Sequence, residues 1–185
     1  AASLASLWGI DEAADGSFLT VTGWDPVSDL DVWILRLDDG GASGPRVLAR
    51  APGPQQQSTI SPNMRWVAYS SEESGRLEVY VRSADPASEE QWLISANGGA
   101  FPRWSADGSR LFYEGVEEKA LMEVSVDPSS SRFAPGLPVA ALEEPRGTVS
   151  VVGIDGERFV VQVAEGEIGE KRIEVVVGWE GLVRR

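Results

Sequence analysis

Short apolar-rich runs alternate with polar turn clusters along the whole chain, and one phrase of about ten residues recurs among them. Its clearest copy runs from Trp104 through Ser105, Ala106, Asp107, Gly108, Ser109, Arg110, Leu111 and Phe112 to Tyr113. A second runs from Ile60 to Tyr69, a worn third from Val152 to Val161, and the most divergent from Ala14 to Val21. Aligned on the turn residues Gly16, Met64, Gly108 and Gly156, the copies lie 48, 44 and 48 residues apart. Asp-Gly between two apolar runs predicts a tight hairpin, because such a turn needs residues that tolerate positive φ. Asn63-Met64 stands at this place in the second copy, and Met tolerates the left-handed region poorly, which predicts a turn of another type there.

A strand is predicted after each turn, at residues 18–21, 66–69, 111–113 and 159–163, rich in aromatic and β-branched residues. A further strand is predicted at 31–37, 77–81, 121–126 and 173–177, where several stretches alternate polar with apolar as a half-buried strand does. Turn clusters such as Asp38-Asp39-Gly40-Gly41 and Asp127-Pro128-Ser129-Ser130 close these strands. Short strands then follow at 46–49, 91–94 and 138–141. The stretch from Leu4 to Asp15 reads as a strand and turn rather than a helix, since it is short and contains Gly9.

Four strands in a meander, repeated with a period in the forties, are the signature of propeller blades. The fold expected is therefore all-β: a β-propeller of about four four-stranded antiparallel blades, forming one partial domain over 1–185 with blades at 1–52, 53–97, 98–144 and 145–185. Trp33, Trp66, Tyr69, Trp104, Asp107, Gly108, Tyr113, Asp155 and Gly156 hold the blade-motif positions, and their expected role is structural. Four blades are few, and each blade buries its faces only against neighbours. Because Ala1 is not an initiator Met, the expectation is that these blades are the C-terminal part of a larger propeller. Closure with four blades, or pairing with a second copy or another subunit, is the alternative.

Composition fits this picture and narrows the chemistry. A chain of 185 residues that is 42% hydrophobic can bury a core, and 20 Gly with 11 Pro suit many turns rather than long helices. No apolar run approaches the roughly 18 residues of a membrane span, and no cleavable signal sequence is visible. The formal charge of −13 disfavours nucleic acid and anionic membrane surfaces as partners. Zero Cys removes thiolate catalysis, disulfides and zinc–sulfur sites, and zero His removes the Ser-His-Asp and Cys-His mechanisms. No catalytic residue, cofactor or resident metal is expected.

Carboxylates are the chemistry that remains. Asp25, Asp29 and Asp31 lie close enough in sequence to invite a Ca²⁺ site, but their spacing fails the EF-hand pattern and Pro26 points to a turn leading into a strand. The pairs Glu72-Glu73, Glu89-Glu90, Glu117-Glu118 and Glu143-Glu144 fall at predicted loop tips and read as solvated charge. Ser61 and Ser105 precede the hairpin turns and are expected to hydrogen-bond within them, since no base exists to activate a nucleophile. Of the seven Trp, Trp33, Trp66 and Trp104 are expected between blades, Trp24 and Trp92 half exposed, Trp179 in the terminal segment, and Trp8 at the place of Trp104 in the first blade.

The phrase from Trp104 to Tyr113, and Ile60-Ser-Pro-Asn followed by the run from Trp66 to Val81, resemble the TolB-like β-propeller repeat. More narrowly, residues 31–145 resemble the propeller found C-terminal to bacterial, eukaryotic-type serine/threonine kinases. The signs are Glu78-Val-Tyr-Val-Arg, the run from Gln91 to Ser105, Leu121-Met-Glu-Val and the segment from Phe133 to Pro138. The first copy lacks the Trp-Ser-Pro start and the fourth has Gly153-Ile154 in its place. No kinase motif is present. The resemblance implies a non-catalytic interaction, sensor or scaffold module, or a structural subunit of a larger complex. Its partner would be a protein, or a second copy, held through a blade face or edge. The alternative it leaves open is the accessory propeller of a kinase or peptidase whose catalytic part lies elsewhere. It favours an extracytoplasmic, periplasmic location.

Overall fold

The computed structural model describes residues 7–38, 41–42, 44–143, 148–154, 158–165 and 170–177. Every regular element among them is a strand. The first sheet contains β1 (Leu7–Glu12), β2 (Phe18–Asp25), β3 (Asp29–Asp38), a two-residue β4 (Gly41–Ala42) paired with the end of β3, and β5 (Arg46–Ala49) beside β3. The second runs β6 (Gln55–Ile60), β7 (Trp66–Ser71), β8 (Glu78–Ser83) and β9 (Gln91–Leu93). The third runs β10 (Gly99–Trp104), β11 (Arg110–Gly115), β12 (Ala120–Ser125) and β13 (Val139–Glu143). The fourth comprises β14 (Thr148–Ile154), β15 (Arg158–Glu165) and β16 (Glu170–Val177). All pairings are antiparallel and, apart from β3 with β5, join strands that follow one another, which is the meander of a propeller blade.

Register repeats with the sequence phrase. Glu12↔Leu19, Ile60↔Val67 and Trp104↔Leu111 are equivalent pairs in three blades. Glu12, not Trp8, is thus the first-blade counterpart of Trp104; Trp8 lies four residues too early in β1.

Alternation along the strands decides which blade each side chain meets. From the first blade, Phe18, Val32 and Ile34 pack against Ile60, Val67, Tyr69 and Tyr80 of the second. The opposite face of the second blade presents Trp66, Ala68, Val79 and Val81 to Trp104, Leu111, Tyr113 and Met122 of the third. The middle strand β7 is consequently buried at all six positions, because it is covered on both faces.

The turns share one geometry. The N–H of Gly16, Met64 and Gly108 donates to the carbonyl of Ala13, Ser61 and Ser105 at 2.8, 2.7 and 2.9 Å. All three turn residues sit at positive φ, at 71°, 59° and 72°. The expectation of a different turn at Met64 is therefore corrected: Met adopts the left-handed conformation there, its side chain resting against the core between the first two blades. The loop is also longer than the two-residue hairpin that Asp-Gly predicts. The Ser105 N–H to Arg110 carbonyl bond of 2.9 Å encloses four residues, of which Gly108 alone has positive φ. Asp107 serves as an acceptor instead, taking the Ser105 hydroxyl at 2.7 Å and the Ser109 N–H at 3.0 Å. Asp15 and Asn63 likewise accept from the N–H two residues on. Asp155-Gly156 lies outside the described residues.

Candidate functional site

The first strands of the three blades, β1, β6 and β10, stand side by side, since β6 contacts both of the others. In each of them the pairing slips, between Leu7 and Gly9, between Gln56 and Thr59, and between Ala100 and Arg103. A bulge inserts a residue and re-aims the side chains beside it. Here Gln57 and Phe101 take positive φ of 57° and 53°, a conformation costly for residues with a Cβ. Gly9, Gln57 and Phe101 each stand seven residues before their turn residue, so the irregularity belongs to the repeat.

These bulges line a cleft of about 260 Å³. The first blade contributes Gly9, Ile10 and Thr22, the second Gln56, Gln57 and Ser58, the third Phe101 and Arg103. Hydrogen bonds between blades fix its walls. Asp11 Oδ2 accepts the Ile60 N–H at 2.6 Å, and the Ser58 hydroxyl donates to Thr20 Oγ1 at 3.1 Å. Gln57 Oε1 accepts both the Ser70 hydroxyl, at 2.8 Å, and the Phe101 N–H, at 3.0 Å. Trp104 Nε1 donates to the Thr59 carbonyl at 3.3 Å. Ile10 and Phe101 nonetheless remain 63% and 41% exposed. Thr22, which lines the cleft, is buried, and its hydroxyl has no hydrogen-bond partner among the described residues.

A second cleft, of about 340 Å³, opens where strands meet their turns between the first two blades. It sets Arg36 and Arg65 against Asp85 and Glu90, so opposite charges share its walls. Arg65 is committed to the Trp66 ring and the Ser130 carbonyl, and Arg36 lies over the Phe18 ring.

The other candidate chemistry has structural employment. Asp25 accepts the N–H groups of Val27 and Ser28, as the turn reading expects. Asp31 is fully buried and accepts the Ser28 hydroxyl at 2.8 Å. Arg50 bridges Asp31 and Asp25 at 2.6 and 2.9 Å, so a guanidinium occupies the place considered for a cation. The N–H of Val27 chiefly holds the Asp25 carboxyl below its ordinary range. The hydroxyls of Ser61 and Ser105 accept the N–H of Trp66 and Arg110 at 3.0 and 2.9 Å, closing their turns. Of the acidic pairs, Glu89 and Glu90 are exposed, Glu117 lies 3.5 Å from Arg76 and Glu118 accepts from Asn97. Glu143-Glu144 cannot be placed on a face, since Glu144 and the side chain of Glu143 lie outside the described residues.

Trp33, Trp66, Tyr69, Trp104 and Tyr113 are all buried. Trp33 lies on the face of the first blade turned away from the second, with its ring under Arg50. Trp92 packs on the core and Trp24 is 42% exposed. Among the described residues no cluster of three or more Asp or Glu could hold a metal ion, and no helix is long and apolar enough to cross a membrane.

Strands that meander within blades, with first strands gathered side by side, define a β-propeller, and the chain shares that fold with solved TolB and peptidase propellers. TolB from Acinetobacter baumannii matches 94% of this chain with a TM-score of 0.70 at 10% identity, the chain covering 41% of that protein. A puromycin-hydrolyzing peptidase of Mycobacterium tuberculosis matches 96% with a TM-score of 0.68 at 16% identity, over 28% of its length. The β-propeller domain of the Trilobed protease from Pyrococcus furiosus matches 94% with a TM-score of 0.60 at 18% identity, over 54% of its length. The chain thus spans well under two thirds of each. No family model and no curated protein matches the sequence.

Proposed function

We propose that this chain is a non-catalytic recognition module that holds a segment of a protein partner in the cleft across β1, β6 and β10. The observation that carries the reading is the exposure of Phe101 and Ile10 beside side-chain amides, on walls fixed by hydrogen bonds between blades. An apolar contact surface with a few placed polar groups is the general form of a binding site. Strain retained at Gln57 and Phe101 supports the same reading, because unfavourable backbone conformations concentrate where a site needs them. The inventory favours binding over intrinsic catalysis, with no His or Cys in the chain. Likeness to part of a peptidase supports a second reading, in which the module accompanies a catalytic domain as its accessory propeller. The resemblance to TolB-like propellers also favours an extracytoplasmic location.

The test is selection of a random peptide library on the immobilised chain. Peptides that enrich and then lose binding to Phe101→Ala, at unchanged thermal midpoint, support the cleft. Peptides indifferent to that variant contradict it.

A further inference from the structure

We infer that the inner-strand cleft reads an acidic side chain on an extended segment of the partner, next to an apolar residue that rests on Phe101 and Ile10. This rests on the cleft being the recognition surface and adds the chemistry of what it recognises. Arg103 carries the cleft's positive charge and projects from the strand that also bears Phe101. Its own hydrogen bond runs only to the Pro102 carbonyl, and it forms no ion pair among the described residues. Arg103 is exposed, so its guanidinium is open to a carboxylate that enters the cleft. Arginine pairs carboxylates bidentately and with strong geometric preference.

The Thr22 hydroxyl is the second, independent observation. It is 2% exposed, lines the cleft and has no partner among the described residues, a condition that carries a desolvation penalty until something satisfies it. Gly9 stands directly above it: a Cβ there would come 3.8 Å from the Thr22 hydroxyl, so the missing side chain keeps the path to it short. Among the residues that line the cleft, Arg103, Gln56 and Thr22 carry side-chain hydrogen-bond donors. Because the lining comes from three strands that stand side by side, a segment can cross the cleft rather than end in it, and a side-chain carboxylate is the group assigned to Arg103. Long-range repulsion from the acidic surface is screened within about 8 Å at physiological salt. It still selects against acid-rich segments, so a single carboxylate beside an apolar residue is the sequence expected.

The experiment extends the library selection. Enriched peptides are expected to carry one Asp or Glu adjacent to an apolar residue, and to bind Arg103→Glu at least about tenfold more weakly while the far-UV spectrum is unchanged. Thr22→Val, which keeps the shape and removes the hydroxyl, is expected to weaken the same peptides several-fold while its thermal midpoint holds or rises. C-terminal amidation should leave binding intact; loss on amidation overturns the side-chain assignment. Peptides without an acidic residue that still depend on Phe101 overturn the carboxylate inference and leave the recognition reading standing. Peptides indifferent to Phe101→Ala and Arg103→Glu alike, or no enrichment at all, contradict both.

Discussion

The two seams between the first three blades use the same strand positions and fill them differently. Where the second seam has Trp104, Leu111, Tyr113 and Met122 facing Trp66, Ala68, Val79 and Val81, the first has Ile60, Val67, Tyr69 and Tyr80 facing Phe18, Thr20, Val32 and Ile34. The second seam gains a further aromatic from outside the repeat. Phe133, in the segment after β12, lies 5.3 Å from the Trp66 ring, 5.0 Å from Trp92 and 6.3 Å from Trp104. The first seam has the stacked pair Tyr69 and Tyr80, 5.9 Å apart, and the Asp11–Ile60 and Ser58–Thr20 hydrogen bonds, where the second has Gln57–Phe101 and Trp104–Thr59. The repeat thus fixes which positions meet, while their occupants set how much apolar area is buried there. Hydrogen bonds cross both seams, and those between the first strands shape the walls of the cleft.

Replacing the residue at one seam position tests this most severely. Trp104→Ala should cost about 3–5 kcal/mol, by lost transfer energy and the cavity left among Trp66, Phe133 and Leu111, whereas Ile60→Val at the equivalent place should cost about 0.5–1.5 kcal/mol. Urea unfolding of the two variants checks both; a near-neutral Trp104→Ala breaks the distinction between the seams.

The turns give a finer comparison. Gly108→Ala should cost about 1–2 kcal/mol, because its φ of 72° is left-handed and the new Cβ would approach Pro62 Cδ to 3.4 Å. At the matching position Met64→Gly relieves backbone strain but loses the Met64 contact with the core, and should change stability by less than about 1 kcal/mol. Thermal midpoints of the pair reveal whether the second blade compensates its unfavourable turn by packing.

The smallest effect expected is on pH dependence. The Ser105 hydroxyl, followed by the N–H and hydroxyl of Ser109, holds the Asp107 carboxyl down at about 2. Its folded value lies below the ordinary unfolded value of about 3.9, so its contribution is present above about pH 4 and is lost as pH falls toward 2. Asp15 is lowered in the same direction, chiefly by the Ser17 hydroxyl, while Asn63 does not titrate. Asp107→Asn should therefore flatten the fall in thermal midpoint between about pH 4 and pH 2; an unchanged slope would assign that fall to other carboxylates.

Much of the architecture was legible because it rests on local signals that repeat. Strands at 18–25, 66–71 and 110–115 begin at or within one residue of where the turn phrase places them, since β-branched and aromatic residues follow a compact turn each time. At Met64 the poor propensity of Met for positive φ is overridden by the packing of its side chain on the core. In the first blade, distance from the turn and not aromatic identity sets the equivalence, which gives Glu12 rather than Trp8. The cleft was not legible. Neither Gln57 nor Phe101 is a residue that propensity assigns to a bulge, and only their common distance from the turn could have flagged them. Thr22 reads as an ordinary strand residue until the neighbouring strand leaves its hydroxyl without a partner.

Hydrogen–deuterium exchange with and without a selected peptide tests the account at its centre. Protection concentrated in 7–12, 55–60 and 99–104 is the predicted result, since those inner strands form the cleft. Protection confined to the outer strands at 46–49, 91–93 and 139–143 would contradict it and assign recognition to the blade edge.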